Sequence, residues 1–230
     1  MSQDATRRPS PTLIHAALAF CACFVDVVCV LGVFHTFTAF ITGSFVLLWV
    51  DLVQNRAQIP LKLIVIFGFT LFSLFWHALM HRMPGGGARH LRLFLLIEAA
   101  LLAGFMATAL AGAPLTRPTD PHALAAIVLS AGAMALQTQI TIRVLKRNMA
   151  TTLMTINTLK MLGGFHDSVF DPSTRDKLPE HRGLLVVILS FGLGGLAGAL
   201  CMTTAGFAAL AVPVAVLVVL ALRVGGPDPA

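Results

Sequence analysis

The 230-residue chain is 57% hydrophobic and only 11% charged, with a mean hydropathy of +0.86, whereas a soluble domain carries about 25% charged residues. Composition therefore excludes an ordinary water-soluble enzyme and points to a protein that crosses a membrane several times. The net charge of +6 reports the orientation of span ends and not nucleic-acid binding, so no nucleic-acid partner is expected.

In chain order, a short arm (residues 1–11) carries Arg7 and Arg8 but no cleavable apolar region follows it, so the first span, Thr12 to Gly32, is expected to be retained. Asp26 lies well inside that span. A short apolar segment runs from Thr38 to Val53, closed by Asp51, Gln54 and Arg56, with Trp49 as an interface anchor. After Pro60 comes the span Leu61 to Met80; the turn MPGGGARH then leads to Leu91 to Ala111, which holds Glu98. Asp120, beside Pro121, is placed to cap His122 to Ile142, whose far part carries Gln137, Thr138 and Gln139. A second short segment, Thr151 to Leu162, is expected to end at Gly163-Gly164, followed by a polar loop from Phe165 to Arg182. Leu184 to Met202 and Ala205 to Leu222 close the chain, with Pro213 expected to kink the last helix. Small residues four apart between Gly192 and Ala199 suit close helix packing.

These six long runs approach the ~20 apolar residues that cross a bilayer as helix. If the short segments do not cross and the N-terminus is cytoplasmic, only Arg56, Lys62 and Arg117 of the 16 basic residues fall outside. Eight crossings would instead move Arg82, Arg89, Arg92, Arg143, Lys146 and Arg147 outside. The expected topology is six spans in the inner cell membrane with both termini cytoplasmic.

Two stretches share one plan. TAFITGS runs from Thr38 to Ser44 and TTLMTIN from Thr151 to Asn157; Thr38 pairs with Thr151, Thr42 with Thr155 and Ser44 with Asn157. Upstream, Val25-Asp26-Val27 pairs with Gln137-Thr138-Gln139 at nearly the same offset. Within a single membrane domain, 1–230, repeat one covers about 12–111 and repeat two about 122–223. Three spans per half make the second half enter in the opposite sense, as an inverted repeat. Many secondary transporters are built this way, with their sites on short or broken helices where the halves meet, and irregular backbone at depth needs protein or a cavity to satisfy it.

The run VDVVCVLGVFHTFTAFITGSFVLL resembles the first half of the YoaK-like transmembrane protein family, with its V-D-A and later T-G-N, and MALQTQITIRVLKRNMATTLMTIN is similar to that family's Q-N-A followed by T-T-x-x-T-G. Asp26, Thr42, Gly43, Gln137, Thr151, Thr152 and Thr155 keep the pattern. Ser44, Thr138 and Ile156 depart from it, standing where the family has Asn, Asn and Gly. The family has no known function, so the resemblance implies the membrane fold and no particular substrate.

An acid inside a span costs about 2.5–3.5 kcal/mol on insertion scales and must face the bundle or a cavity. Asp26 is therefore either an ion or proton site, with Thr42, Ser44, Gln137 and Thr138, or a structural acceptor for the short segment's free N–H groups. Glu98 is either a proton-coupling residue or a neutral acid bonded to a neighbouring helix. Thr38/Thr42 and Thr151/Thr155 each share a helix face and sit where a helix N-terminus would suit an anion; the second segment equally fits a helix lying flat at the interface. His77, His81 and His90 read as interfacial and His35 as a loop residue. Cys21, Cys23, Cys29 and Cys201 read as small hydrophobes; no metal, cofactor or catalytic set is expected. The sequence thus describes an all-α integral membrane protein of six helices in two inverted three-helix repeats, each with a short re-entrant or interfacial helix. Its expected function is a small secondary transporter of a small polar or ionic solute, proton-coupled through Asp26 or Glu98. The substrate-binding set is Asp26, Thr38, Thr42, Gly43, Ser44, Gln137, Thr138, Thr151, Thr155 and Asn157. A passive channel and a non-transporting protein acting through partners stay open as alternatives. The expected surroundings are the lipid bilayer and a small solute, with room for a homo-oligomer.

Overall fold

The computed structural model describes residues 9–83, 87–145, 154–170 and 178–224. These form eight α-helices and, among the described residues, no strand: α1 Pro11–Gly32, α2 Ile41–Gln54, α3 Ile59–Arg82, α4 Ala88–Gly112, α5 Pro121–Gln139, α6 Met154–Phe170, α7 Leu178–Ala205 and α8 Ala211–Val224. A π-helical turn, Ile140–Leu145, extends α5. Tight 3-10 turns, Arg56–Gln58 and Gly206–Leu210, join α2 to α3 and α7 to α8.

Local chemistry starts the helices where the chain provides caps. Ser10 accepts from the Leu13 N–H at 3.3 Å with Pro11 in the first turn of α1. Asp120 Oδ1 accepts from the His122 N–H at 2.8 Å ahead of α5, and that bond holds the Asp120 carboxyl below its ordinary range.

Five continuous helical runs are long and apolar enough to cross a membrane: Pro11–Gly32, Arg56–Arg82, Ala88–Gly112, Pro121–Leu145 and His181–Val224. The last, 44 residues, would reach about 66 Å as one straight helix at 1.5 Å per residue. It does not run straight. Gly206, at φ +57°, takes the left-handed conformation that only glycine adopts without cost, and the chain folds back there. Gly194 and Gly198 of α7 lie against the backbone of Phe20 and Phe24, so α7 runs parallel to α1. On α8 the order is reversed: the Pro213 carbonyl meets Cys21, and Arg223 lies with Pro9. Pro213 sits in the first turn of α8, where its missing N–H costs nothing, so it opens the last helix and does not kink it.

Packing follows the small residues. The glycine run of α7 lets α1 and α7 make the most extensive helix pair among the described residues. Gly163-Gly164 does not end the second short segment; α6 continues to Phe170 and α7 begins at Leu178, so the expected polar loop is short. The bare α-carbon of Gly164 faces the His181 ring, so this glycine serves close packing of α6 on α7. Met154 and Met161 of α6 pack with Phe191 on Leu184, Val187, Ala16 and Ala19. α6 therefore lies antiparallel along α7.

Large apolar side chains cover the surface as well as the core. Phe24, Phe94, Phe105, Leu102 and Ile127 are fully buried, yet Phe45, Val46, Trp49 and Val53 of α2 and Phe67, Leu71, Leu74 and Phe75 of α3 are exposed. Contiguous exposed apolar helix faces on this scale suit lipid and not water. This is the architecture of a multi-pass membrane protein.

Candidate functional site

The chain reverses direction immediately after α1. Phe34 and His35 take left-handed φ values of 51° and 53°, a conformation that costs a residue with a β-carbon roughly 1–2 kcal/mol. A cation holds the reversal in place. Lys62, fully buried on α3, donates from Nζ to the Phe34 carbonyl, to the His35 carbonyl at 2.9 Å and to Thr36 Oγ1 at 3.0 Å. Asp51 Oδ2, near the end of α2, lies 3.6 Å from the same ammonium.

From there the backbone dips inward to meet Asp26. Its Oδ1 accepts from the N–H groups of Thr38 at 2.7 Å and Ala39 at 2.8 Å and from Thr38 Oγ1 at 3.3 Å; its Oδ2 accepts from the Phe40 N–H at 2.9 Å. Asp26 precedes the end of α1 by six residues, about 9 Å of helix. α2 thus starts at depth and climbs back to the reversal, where Asp51 meets Lys62. The free amides at a helix entry need an acceptor, and a carboxylate there also complements the positive end of the helix dipole. Asp26 satisfies the three linker amides that lead up to Ile41, the first residue of α2, the acceptor role weighed for it from the sequence. Ser44 fastens the same linker: its Oγ donates to the Phe37 carbonyl at 2.6 Å and accepts from the Phe37 N–H at 3.1 Å. Gly43 is buried, and a β-carbon there would strike the rings of Phe37 and Phe40.

The contact between this lock and α5 runs through a residue the sequence reading passed over. Ser130 Oγ lies 2.8 Å from Thr38 Oγ1 and 3.5 Å from Cys29 Sγ. Gln137, seven residues further along α5, donates to the Leu18 carbonyl at 3.0 Å. Leu18 and Asp26 are eight residues apart on α1, about 12 Å along its axis. Thr138 turns its hydroxyl to the Met134 carbonyl at 2.9 Å within its own helix. Thr42 and Thr155 are exposed, and Asn157 is buried on α6. Thr151 lies outside the described residues. The structure therefore joins Asp26, Thr38 and Ser130 in one polar cluster, with Gln137 bonded elsewhere on α1.

Glu98 is different from all of these. It is fully buried on α4, and neither carboxyl oxygen has a hydrogen-bond partner among the described residues. Among the described residues no three His, Cys, Asp or Glu side chains gather to hold a metal.

Ser130 and Lys62 are the residues that sequence reasoning missed. Ser130 sits two helical turns before Gln137, on the same face of α5, so helical periodicity was the available signal. Lys62 looks like a flanking charge, and nothing local shows that the preceding loop folds over it.

A profile of the family described as "Protein of unknown function (DUF1275)" matches residues 14–223. Comparison with curated proteins and with solved structures returns no match.

Proposed function

The chain belongs to the DUF1275 family, which is the YoaK-like family, and from that premise we propose that it is a small secondary transporter, non-catalytic and resident in the inner cell membrane. Its helices make six crossings with both termini cytoplasmic, α2 and α6 entering only part way. The pairing of helices supports an inverted repeat: α1 packs on α7 as α5 packs on α3, α2 on α3 as α6 on α7, and α4 on α8. At the centre α1 and α5 run antiparallel, Cys29 against Ser130 and Leu18 against Gln137, as a two-fold axis in the membrane plane requires.

The observation that carries a transport reading is Glu98. A carboxyl group kept in the bundle with neither oxygen bonded among the described residues is expensive and marks a pathway for protons or ions. Asp26 already accepts four bonds from the α2 entry; it positions the re-entrant helix, and Glu98 is the coupling group. Thr38, Ser130 and Gln137 supply polar atoms where the two halves meet, and Thr42, Thr151, Thr155 and Asn157 stand on or before the two part-way helices.

The test is uptake of a panel of small polar solutes into proteoliposomes with and without an imposed pH gradient. Accumulation driven by the gradient, abolished by Glu98→Gln but kept in part by Asp26→Asn, is the expected result. Downhill flux that ignores the gradient and survives Glu98→Gln identifies a passive channel instead. No flux across the panel sinks both.

A further inference from the structure

At the end of the bundle where α3 finishes and α4 begins, the π-turn of α5 passes between them. Met80, His81 and Met83 of the α3 end, His90 and Phe94 of α4, and Arg143 and Val144 of the π-turn enclose a cavity of about 210 Å³. That is room for roughly seven waters at ~30 Å³ each, or for one oxyanion with part of its hydration shell. Its polar side chains, His81, His90 and Arg143, all bear nitrogen, and among the described residues no Asp or Glu lines it. Arg82 and Arg89 stand exposed beside it in sequence.

Arg143 carries the argument. Its guanidinium donates through Nε to His77 Nδ1 at 3.0 Å and also reaches the ring through Nη2. A neutral imidazole offers one acceptor, whereas a guanidinium has five N–H donors in a fork, so most of that fork is left over. No carboxylate pairs with Arg143 among the described residues. Six residues of π-helix, Ile140–Leu145, set its direction, and such turns recur at functional positions. The carbonyl end of α3 and the amide end of α4 meet here, so their dipoles oppose each other and the attraction for an anion falls to the side chains.

We propose that this cavity binds a phosphate-bearing anion, held by the free edge of the Arg143 guanidinium with His81 and His90 as further donors. A planar fork without a carboxylate partner suits phosphate oxygens, which accept two parallel N–H bonds. Basic cavities between membrane helices take the phosphate of an anionic lipid headgroup by the same chemistry. The site is independent of transport, because binding is read without flux.

The full-length protein in detergent is tested with radiolabelled inorganic phosphate by equilibrium binding, and with phosphatidylglycerol by native mass spectrometry. Arg143→Gln is expected to weaken binding by roughly tenfold or more, while Arg117→Gln, in the loop between α4 and α5 at the far end of the bundle, leaves it unchanged. Saturable phosphate binding with that pattern assigns a free-anion site, and retention of phosphatidylglycerol alone with that pattern assigns a lipid-headgroup site. Wild-type protein that holds neither ligand overturns the proposal, as does binding that Arg143→Gln and Arg117→Gln affect equally. Should Arg143→Gln not elute as a single species, the His81→Gln/His90→Gln double variant takes its place, and undiminished binding there is equally fatal.

Discussion

Where α1 turns into α2, Asp26 accepts four hydrogen bonds from Thr38, Ala39 and Phe40, all within the next fourteen residues of chain. On α5, Thr138 stands at the position that pairs with Asp26, and its neighbour Gln137 reaches across the bundle to the Leu18 carbonyl. One polar group serves the segment that follows it; the other serves a different helix. An ionised acceptor can satisfy several amides at once and offset a helix dipole, so Asp26 suits the entry of α2. A neutral amide has no such reach, but it ties α5 to α1 and thereby one half of the chain to the other.

The contrast can be broken by substitution, and the unfolding temperature of the purified protein in detergent is the measurement. Asp26→Ala strands three backbone amides at depth, and bonds to a charged group are worth about 1.5–3 kcal/mol each, so a loss of at least ~3 kcal/mol is expected. Asp26→Asn should recover part of it. Next comes the packing that sets α1 beside α7. A β-carbon at Gly198 would lie 2.9 Å from the Phe24 carbonyl oxygen, which as backbone cannot give way, so Gly198→Val is expected to cost about 1–3 kcal/mol. On the corresponding α5–α3 pair, a β-carbon at Gly132 would sit in ordinary contact, 3.5 Å from the Phe72 ring; Gly132→Ala should be neutral or slightly stabilising. Equal losses at the two glycines would show that the two pairs pack alike.

Gln137→Ala removes one neutral donor and should cost about 0.5–1.5 kcal/mol, clearly less than Asp26→Ala. If the two losses match, the distinction drawn above fails. The smallest effect belongs to Asp120. Its folded carboxyl is held below the ordinary range by the His122 N–H, so its contribution is complete above the unfolded carboxylate value near 3.9 and disappears as pH falls through the lower folded value. An acid titration of the unfolding temperature should therefore show a small step that Asp120→Asn removes.

Much of this was legible in the chain itself. The helices that cross are long apolar runs, and α1 ends at Gly32 as its composition indicates. Asp120 caps α5, and the glycine run of α7 meets α1. Three features were not legible. Glycines at 163 and 164 read as a stop because the role of Gly164, contact with the His181 ring, exists only once α7 has folded back. Ser130 is one hydroxyl in an alanine-rich helix, and its meaning depends on Thr38 arriving from a different segment. Lys62 has the sequence position of a flanking charge but the structural position of a clamp. In each case the deciding partner is distant in sequence.

The order in which the chain is synthesised gives the Asp26 lock a further consequence. The acid and the last amide it caps are fourteen residues apart, so the closure is local and its loop entropy small. It can form as soon as Phe40 has left the ribosome, before any later helix exists. The Gln137 bond to Leu18 spans 119 residues and has to wait for α5. An acid that would otherwise enter the bilayer uncompensated is thus matched with its donors at the first opportunity, and the seam between the halves closes last.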